Sequence, residues 1–256
     1  MKYEDLLNGH FRYGTTKEDI IKRKGYENIL ENVVIAPWWS HEIFLKFDVK
    51  VEQVSKKVFN IYGDGFEFSY IELKSIGSPV ILDDVLSLGV TNAKNLIFLG
   101  SVGSLDENIK IGDIVIPNIS ICGDGASRYL NKNLEDNFGE KVYPNKDMFD
   151  KICNIVDSMN IKYHNVTNFS IDTVFAQFCH IDKIKELGCN SIEMETASLF
   201  KVCELCNIKC VALLCVSDNT VVNKSLYSGR SEEENIYRHK VRDEIIPKIV
   251  IEMFKR

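Results

Sequence analysis

Three short segments combine residue types and positions that chemistry can use. Glu193-Met194-Glu195 stands where an apolar strand gives way to a helix. A carboxylate only accepts hydrogen bonds, so one glutamate can hold the adjacent 2′- and 3′-hydroxyls of a ribose. The methionine between them offers a soft apolar surface for a sugar ring. Two acids at a helix N-terminus also complement the helix dipole, and that structural reading stands beside the chemical one. Ser217-Asp218-Asn219 ends another apolar run. It could be an Asx turn or N-cap, or Asp218 could be an acid whose pKa rises in a dry cleft so that it donates a proton. Arg230, twelve positions later, could orient that carboxyl. Gly100-Ser101-Val102-Gly103 follows Leu96 to Leu99, where backbone amides could approach an anion or a sugar, or simply turn.

These segments need a scaffold that gathers them. Val33 to Ala36, Leu96 to Leu99, Ile114 to Pro117, His164 to Ser170 and Cys210 to Ser217 read as strands. Phe59 to Tyr62 and Phe66 to Ile71 flank Gly63-Asp64-Gly65 as a hairpin. Val80 to Leu88, Asp147 to Met159 and Glu195 to Cys206 carry helical spacing, and Arg230 to Phe254 reads as one long closing helix kinked near Pro247. Alternating strands and helices predict an α/β fold, with a mainly parallel or mixed sheet covered on both faces. Ligand sites in such sheets gather at the carboxyl ends of strands, which is where all three segments fall. No linker or internal repeat divides residues 1–256, so one domain is expected.

Composition narrows the class. The chain has 256 residues, 45% hydrophobic and 27% charged, which suits a soluble globular domain. A net charge of -6 and a pI near 5.5 argue against a nucleic-acid partner. No apolar run approaches the ~18 residues that span a membrane, and Met1 to Asp5 has no signal-peptide core, so a cytoplasmic location is expected. Among eight cysteines, Cys203 and Cys206 have C-x-x-C spacing, but they lie in an apolar helical pattern, with Cys210 and Cys215 in a buried strand. Packing rather than metal binding is the expectation, with reduced thiols and no metal site.

Taken in order, Gly100 to Leu105, Ile109 to Pro117, Asp124 to Ser127, Glu193 to Glu195 and Ser217-Asp218 resemble the purine nucleoside and uridine phosphorylase superfamily. Gly14 to Asp19 is similar to the N-terminal segment of the uridine phosphorylase branch. The resemblance implies a single-domain three-layer αβα sandwich around a central mixed sheet. It also implies a homodimer or a hexamer built from dimers, with residues 1–28 as an arm reaching a neighbouring subunit. The implied substrate is a small nucleoside or nucleotide, and the implied reaction is cleavage between base and ribose. Glu195 would accept the ribose hydroxyls, Met194 would pack on the sugar, and Gly100 and Ser101 would lie near the nucleophile. Asp218 would assist the departing base, which favours a purine. Val174 and Phe175, next to Gln177, would line the base pocket.

The sequence departs from the family where phosphate binds. The Pro-Gly-Asp-Pro-x-Arg loop after the first strand is replaced by Pro37-Trp38-Trp39-Ser40-His41-Glu42. A second family arginine position is Phe98, and a third falls near Ser55, where Lys56 and Lys57 are the nearest cations. Lost arginines weaken dianion binding, whereas Glu42 or His41 could activate water. Hydrolysis, phosphorolysis and a non-catalytic sensor therefore all remain open. No cofactor is expected, and phosphate is a co-substrate only if the reaction is phosphorolytic. Arg12, with His10 nearby, occupies the family's 5′-end position and could meet a 5′-phosphate, or be a surface arginine of the arm.

Overall fold

A strand covered on both faces is apolar at consecutive positions, and three central strands meet that condition through their middles. The structure, a computed structural model, describes residues 1–255. Strand β1 (Asn32–Pro37), β5 (Asn95–Ser104) and β10 (Lys209–Asn219) send alternate residues to opposite sides. Leu96, Phe98, Ala212 and Leu214 join one apolar cluster, while Ile97, Leu99, Val211 and Leu213 join another. Each side has its helical cover. Helices α3 (Ser78–Leu88) and α6 (Thr196–Leu205) pack on the first side, and α4 (Lys146–Ser158) and α8 (Ile246–Phe254) on the second.

The remaining strands are β2 (Lys50–Gln53), β3 (Val58–Gly63), β4 (Phe66–Leu73), β6 (Ile114–Gly123), β7 (Lys141–Val142), β8 (Tyr163–Ile171) and β9 (Ser191–Glu193). The order is β10-β6-β8-β9-β5-β1-β4-β3-β2, with β7 on the edge of β6. β10 also pairs in parallel with β5, so one half of the sheet curls until β5, β10, β6, β8 and β9 close on one another. Parallel and antiparallel pairs coexist, giving the mixed central sheet expected of an α/β fold. The expected hairpin is present as β3 and β4 across Gly63 to Phe66.

Three elements differ from their sequence reading. Gly100 to Gly103 do not turn but continue β5, because β10 runs beside them from Leu214 to Asp218. The register slips between Val216 and Asp218, a bulge that re-aims the end of β10. The closing helix is three pieces: α7 (Glu232–Lys240), a π turn over Val241–Ile245, and α8. Pro247 has no amide hydrogen to bond back to Asp243, and the wide turn absorbs that defect. At the other end, α1 (Tyr3–Arg12) and α2 (Lys17–Lys24) pack on their own chain, through Tyr3 Oη to the Leu86 carbonyl (2.5 Å) and through α2 on α3. Helix α5 (Ile181–Glu186) completes the set.

The cysteines fill space. Cys203, Cys210 and Cys215 are buried, and burial pushes the thiols of Cys206 and Cys215 up to about 12. Among the described residues no cluster of His, Cys, Asp or Glu is placed to hold a metal ion. None of the described helices is long and apolar enough to cross a membrane.

Candidate active site

Strand ends converge on one cavity of about 320 Å³. β1 supplies Pro37 to Trp39, β5 supplies Gly100 to Gly103, β9 and the start of α6 supply Glu193 to Glu195, and β10 supplies Ser217 and Asp218. Arg230 precedes α7, Arg238 lies on it, and Arg242 sits in the π turn; all three also line the cavity.

Glu193 and Glu195 divide their work. Glu193 Oε1 accepts from Asn168 Nδ2 (2.6 Å), Ser170 Oγ (2.6 Å) and Thr196 Oγ1 (3.0 Å). Its Oε2 accepts from the amides of Glu195 (2.7 Å) and Thr196 (2.8 Å). That carboxylate is saturated and caps the N-terminus of α6, so the dipole reading describes Glu193 and leaves no lone pair for a sugar. Glu195 accepts a hydrogen bond from the Gly77 amide (2.5 Å), and the residue lines the cavity. Burial raises both carboxyls, and the neighbouring Glu193 charge raises Glu195 further, to about 8. The five donors on Glu193 favour its ionised form, and Glu195, raised by burial and by that charge, keeps its proton near neutrality. Met194 lines the cavity beside them, its carbonyl held by Ser78 Oγ (2.8 Å).

Asp218 has the environment of an acid. It is 5% exposed, and burial raises its pKa despite the Ser217 hydroxyl on Oδ1 (2.5 Å) and the charges of Arg230 and Arg238. Gly103 makes room for it: a Cβ there would stand 3.1 Å from Asp218 Oδ2 and 3.2 Å from Ile192 Cγ2. Arg230 does not bond the Asp218 carboxyl. Its Nε donates to the Ser217 carbonyl (2.5 Å), so it braces the bulge that aims Asp218.

Several sequence candidates lie elsewhere. Glu42 is exposed on the 3-10 turn His41–Phe44 and does not line the cavity, which corrects its placement as a base at the sugar. His41 is stacked on Phe59 (3.7 Å, 13°) and its Nδ1 meets Glu72 Oε1 at 2.7 Å. Burial would raise Glu72, but hydrogen bonds from His41, Lys74 and Ser40 hold it down to about 2, which keeps His41 turned into that cluster. Val174 lines the cavity with Gln177, but Phe175 is 83% exposed and does not, because the segment after β8 turns it outward. Arg12 and His10 lie on exposed α1, away from the cavity of their own chain. Lys57 is tied to Asp84 and to Tyr26 Oη (3.1 Å), so it is no free substitute for a lost arginine.

The sequence reading missed Ile76, Leu226, Arg238 and Arg242, which line the cavity, and Gly77, whose amide donates to Glu195. Arg238 and Arg242 carried a signal, an i,i+4 arginine pair on one face of the closing helix.

Comparison with known proteins agrees with this architecture. The chain spans somewhat over half the length of the curated relatives it matches. A purine nucleoside phosphorylase of the DeoD type from Hahella chejuensis is 26% identical over 136 residues, 53% of this chain and 56% of that protein. One from Buchnera aphidicola subsp. Schizaphis graminum is 25% identical over 147 residues, 57% and 60% respectively. Among solved structures, uridine phosphorylase from Vibrio fischeri superposes with a TM-score of 0.72 at 16% identity, covering 89% of this chain and 92% of that one. A methylthioadenosine/adenosylhomocysteine nucleosidase from Campylobacter jejuni gives 0.66 at 18% identity, covering 88% and 98%. Those likenesses concern the fold. The profile of the phosphorylase superfamily matches residues 80–242, which carry Ser101, Glu195, Asp218 and Arg230, and the chain belongs to that superfamily.

Proposed function

We propose that the protein cleaves the N-glycosidic bond of a ribonucleoside, with a purine preferred. The observation that carries this reading is that one cavity is lined by two buried carboxyls whose pKa values are raised. Glu195 lines the cavity, where its carboxyl can meet ribose hydroxyls, and Asp218 is buried with a raised pKa. The bond breaks through an oxocarbenium-like state, so rate comes from stabilising the leaving base and positioning the nucleophile. Asp218 donates its proton to the base nitrogen as the C1′–N electrons leave. Relatives named as purine nucleoside phosphorylases support the substrate class.

Phosphorolysis is the form the geometry favours. Three arginines line the cavity, whereas Glu42 and His41, the candidate bases for water, face away from it. Hydrolysis is the second reading, favoured by the loss of the glycine and arginine from the loop after β1. Incubation with adenosine, inosine, guanosine and uridine, with and without phosphate, tests both. Purine release that requires phosphate is expected, and Glu42→Gln should leave turnover unchanged. Base release independent of phosphate moves the assignment to a nucleosidase. Saturable nucleoside binding without any base release would make the protein a sensor.

Homo-oligomer formation, as a dimer or a trimer of dimers, belongs to the same reading. Phe11 is 42% and Tyr13 82% exposed at the end of α1, beside Arg12 and His10, which could then reach only a neighbour's cavity. Light scattering at micromolar concentration tests it, and a monomer there sinks it.

A further inference from the structure

Arg238 lines the cavity without a salt bridge to any described residue. Arg242 has one: its Nε and Nη2 fork onto Asp243 (2.6 and 2.9 Å). Arg238 instead gives Nη2 to Ser101 Oγ (3.0 Å), has no carboxylate partner among the described residues, and keeps its Nε buried without any hydrogen-bond partner. A half-buried guanidinium with an unmet donor is costly unless a ligand completes it. Burial, together with the nearby charges of Arg230 and Arg242, lowers its pKa, a repulsion that an anion would relieve.

The fold goes to some trouble to put Arg238 there. Gly112 has φ +87°, and a Cβ on it would stand 2.5 Å from the Tyr237 ring and 3.3 Å from the Arg238 amide nitrogen. That gap lets α7 lie against the turn before β6 and delivers Arg238 to Ser101 on β5. The π turn that follows keeps Arg242 at the same cavity. Meanwhile the loop after β1 presents Trp38 and Trp39, and β5 presents Phe98, so no cation comes from that side.

We propose that Arg238 and Ser101, with Arg242 adding charge, bind a phosphoryl oxyanion, and that the occupant is inorganic phosphate. The anion site has thus moved from the loop after the first strand to the closing helix. The role of the bound anion rests on the glycosidic reading above. A phosphate oxygen forms the bond to C1′ as the C1′–N bond breaks, with its electron pair going to the base. The base takes the Asp218 proton, and the proton shed by hydrogen phosphate restores Asp218, leaving ribose 1-phosphate and neutral base.

The test is equilibrium dialysis of inorganic phosphate against the full chain without nucleoside, run beside the base-release assay. Arg238→Ala should weaken phosphate binding on the order of 100-fold. Arg238→Lys keeps the charge but not the planar fork, and should lose about tenfold. Lys240→Ala, an exposed cation on the same helix, should bind as the wild type does. Thermal unfolding without phosphate checks that each variant is folded, and Arg238→Lys serves if Arg238→Ala is not. Wild-type protein that fails to bind phosphate, or a folded Arg238 variant that binds it unchanged, overturns the site. Arg238-dependent phosphate binding with no base released from any nucleoside supports the site and ends the glycosidic reading. Phosphate-dependent base release that survives Arg238→Ala undiminished overturns the site and spares that reading. An Arg238-dependent affinity for AMP, with none for free phosphate, would overturn the choice of occupant in favour of a nucleotide's own phosphate.

Discussion

The Glu195 carboxylate takes its protein hydrogen bond from the amide of Gly77, 118 positions earlier in the chain. Gly77 precedes α3 with φ 102° and ψ 156°, a backbone conformation that suits glycine. The positive φ, which glycine adopts at little cost, is what presents this amide to Glu195. Gly77→Ala would meet little steric resistance, since its nearest contact would be Pro79 Cδ at 3.7 Å, so the cost is backbone strain of about 1–3 kcal/mol. Urea unfolding should show that loss, and nucleoside affinity should fall with it because Glu195 loses its anchor. Unchanged affinity would sever Gly77 from the sugar site.

The raised pKa of Glu195 makes stability depend on pH in a stated direction. Between its ordinary value of 4.5 and its folded value of about 8, the folded chain holds a proton that the unfolded chain has released. Stability contributed by this residue is therefore lost as pH rises through that window. Glu195→Gln removes the titration, so the variant should gain on the wild type between pH 5 and pH 8, by an amount on the order of a few kcal/mol. Urea midpoints at those two pH values measure it, and a constant gap refutes it.

Asp218 is expected to govern turnover rather than binding. Asp218→Asn keeps the shape but has no acidic proton, and kcat should fall by about 10²- to 10⁴-fold with KM little changed. In the wild type the rate should decline as pH rises through the elevated Asp218 pKa, and the variant should lack that limb. Gly103→Ala tests the same carboxyl by position, because the added methyl presses on Asp218 Oδ2 at 3.1 Å. A variant at Gly103 with full kcat would show that the carboxyl's placement is not critical.

Trp38 sits where φ is 61°, and it is 66% exposed. A left-handed conformation costs a residue with a side chain roughly 1–2 kcal/mol, and glycine returns part of that through its looser unfolded chain. Trp38→Gly should raise unfolding free energy by about 0.5 kcal/mol, a small gain for losing an indole. A loss of stability would show that the Trp38 ring contributes more packing than its exposure suggests.

Local patterns were enough to place the central strands and the acidic segments at their ends. Residues from Leu96 to Leu99 and from Cys210 to Val216 are apolar at consecutive positions because both faces of their strands are covered, and that pattern survives without any knowledge of partners. Ser101, Met194, Glu195 and Asp218 stand at strand ends or just after them, where α/β sheets present ligand sites, and the structure brings these four and Arg230, from the segment before α7, to one cavity. Tertiary structure decided what each group faces. Glu193 and Glu195 are alike in sequence, yet five donors saturate one while the other lines the cavity and meets the Gly77 amide, and those donors come from β8, α6 and the entry to α3. Arg238 lines the cavity and Glu42 does not, for the same reason. The direction of a side chain depends on a 3-10 turn in one case and on the docking of Tyr237 over Gly112 in the other, and both are set by contacts between residues far apart in the chain.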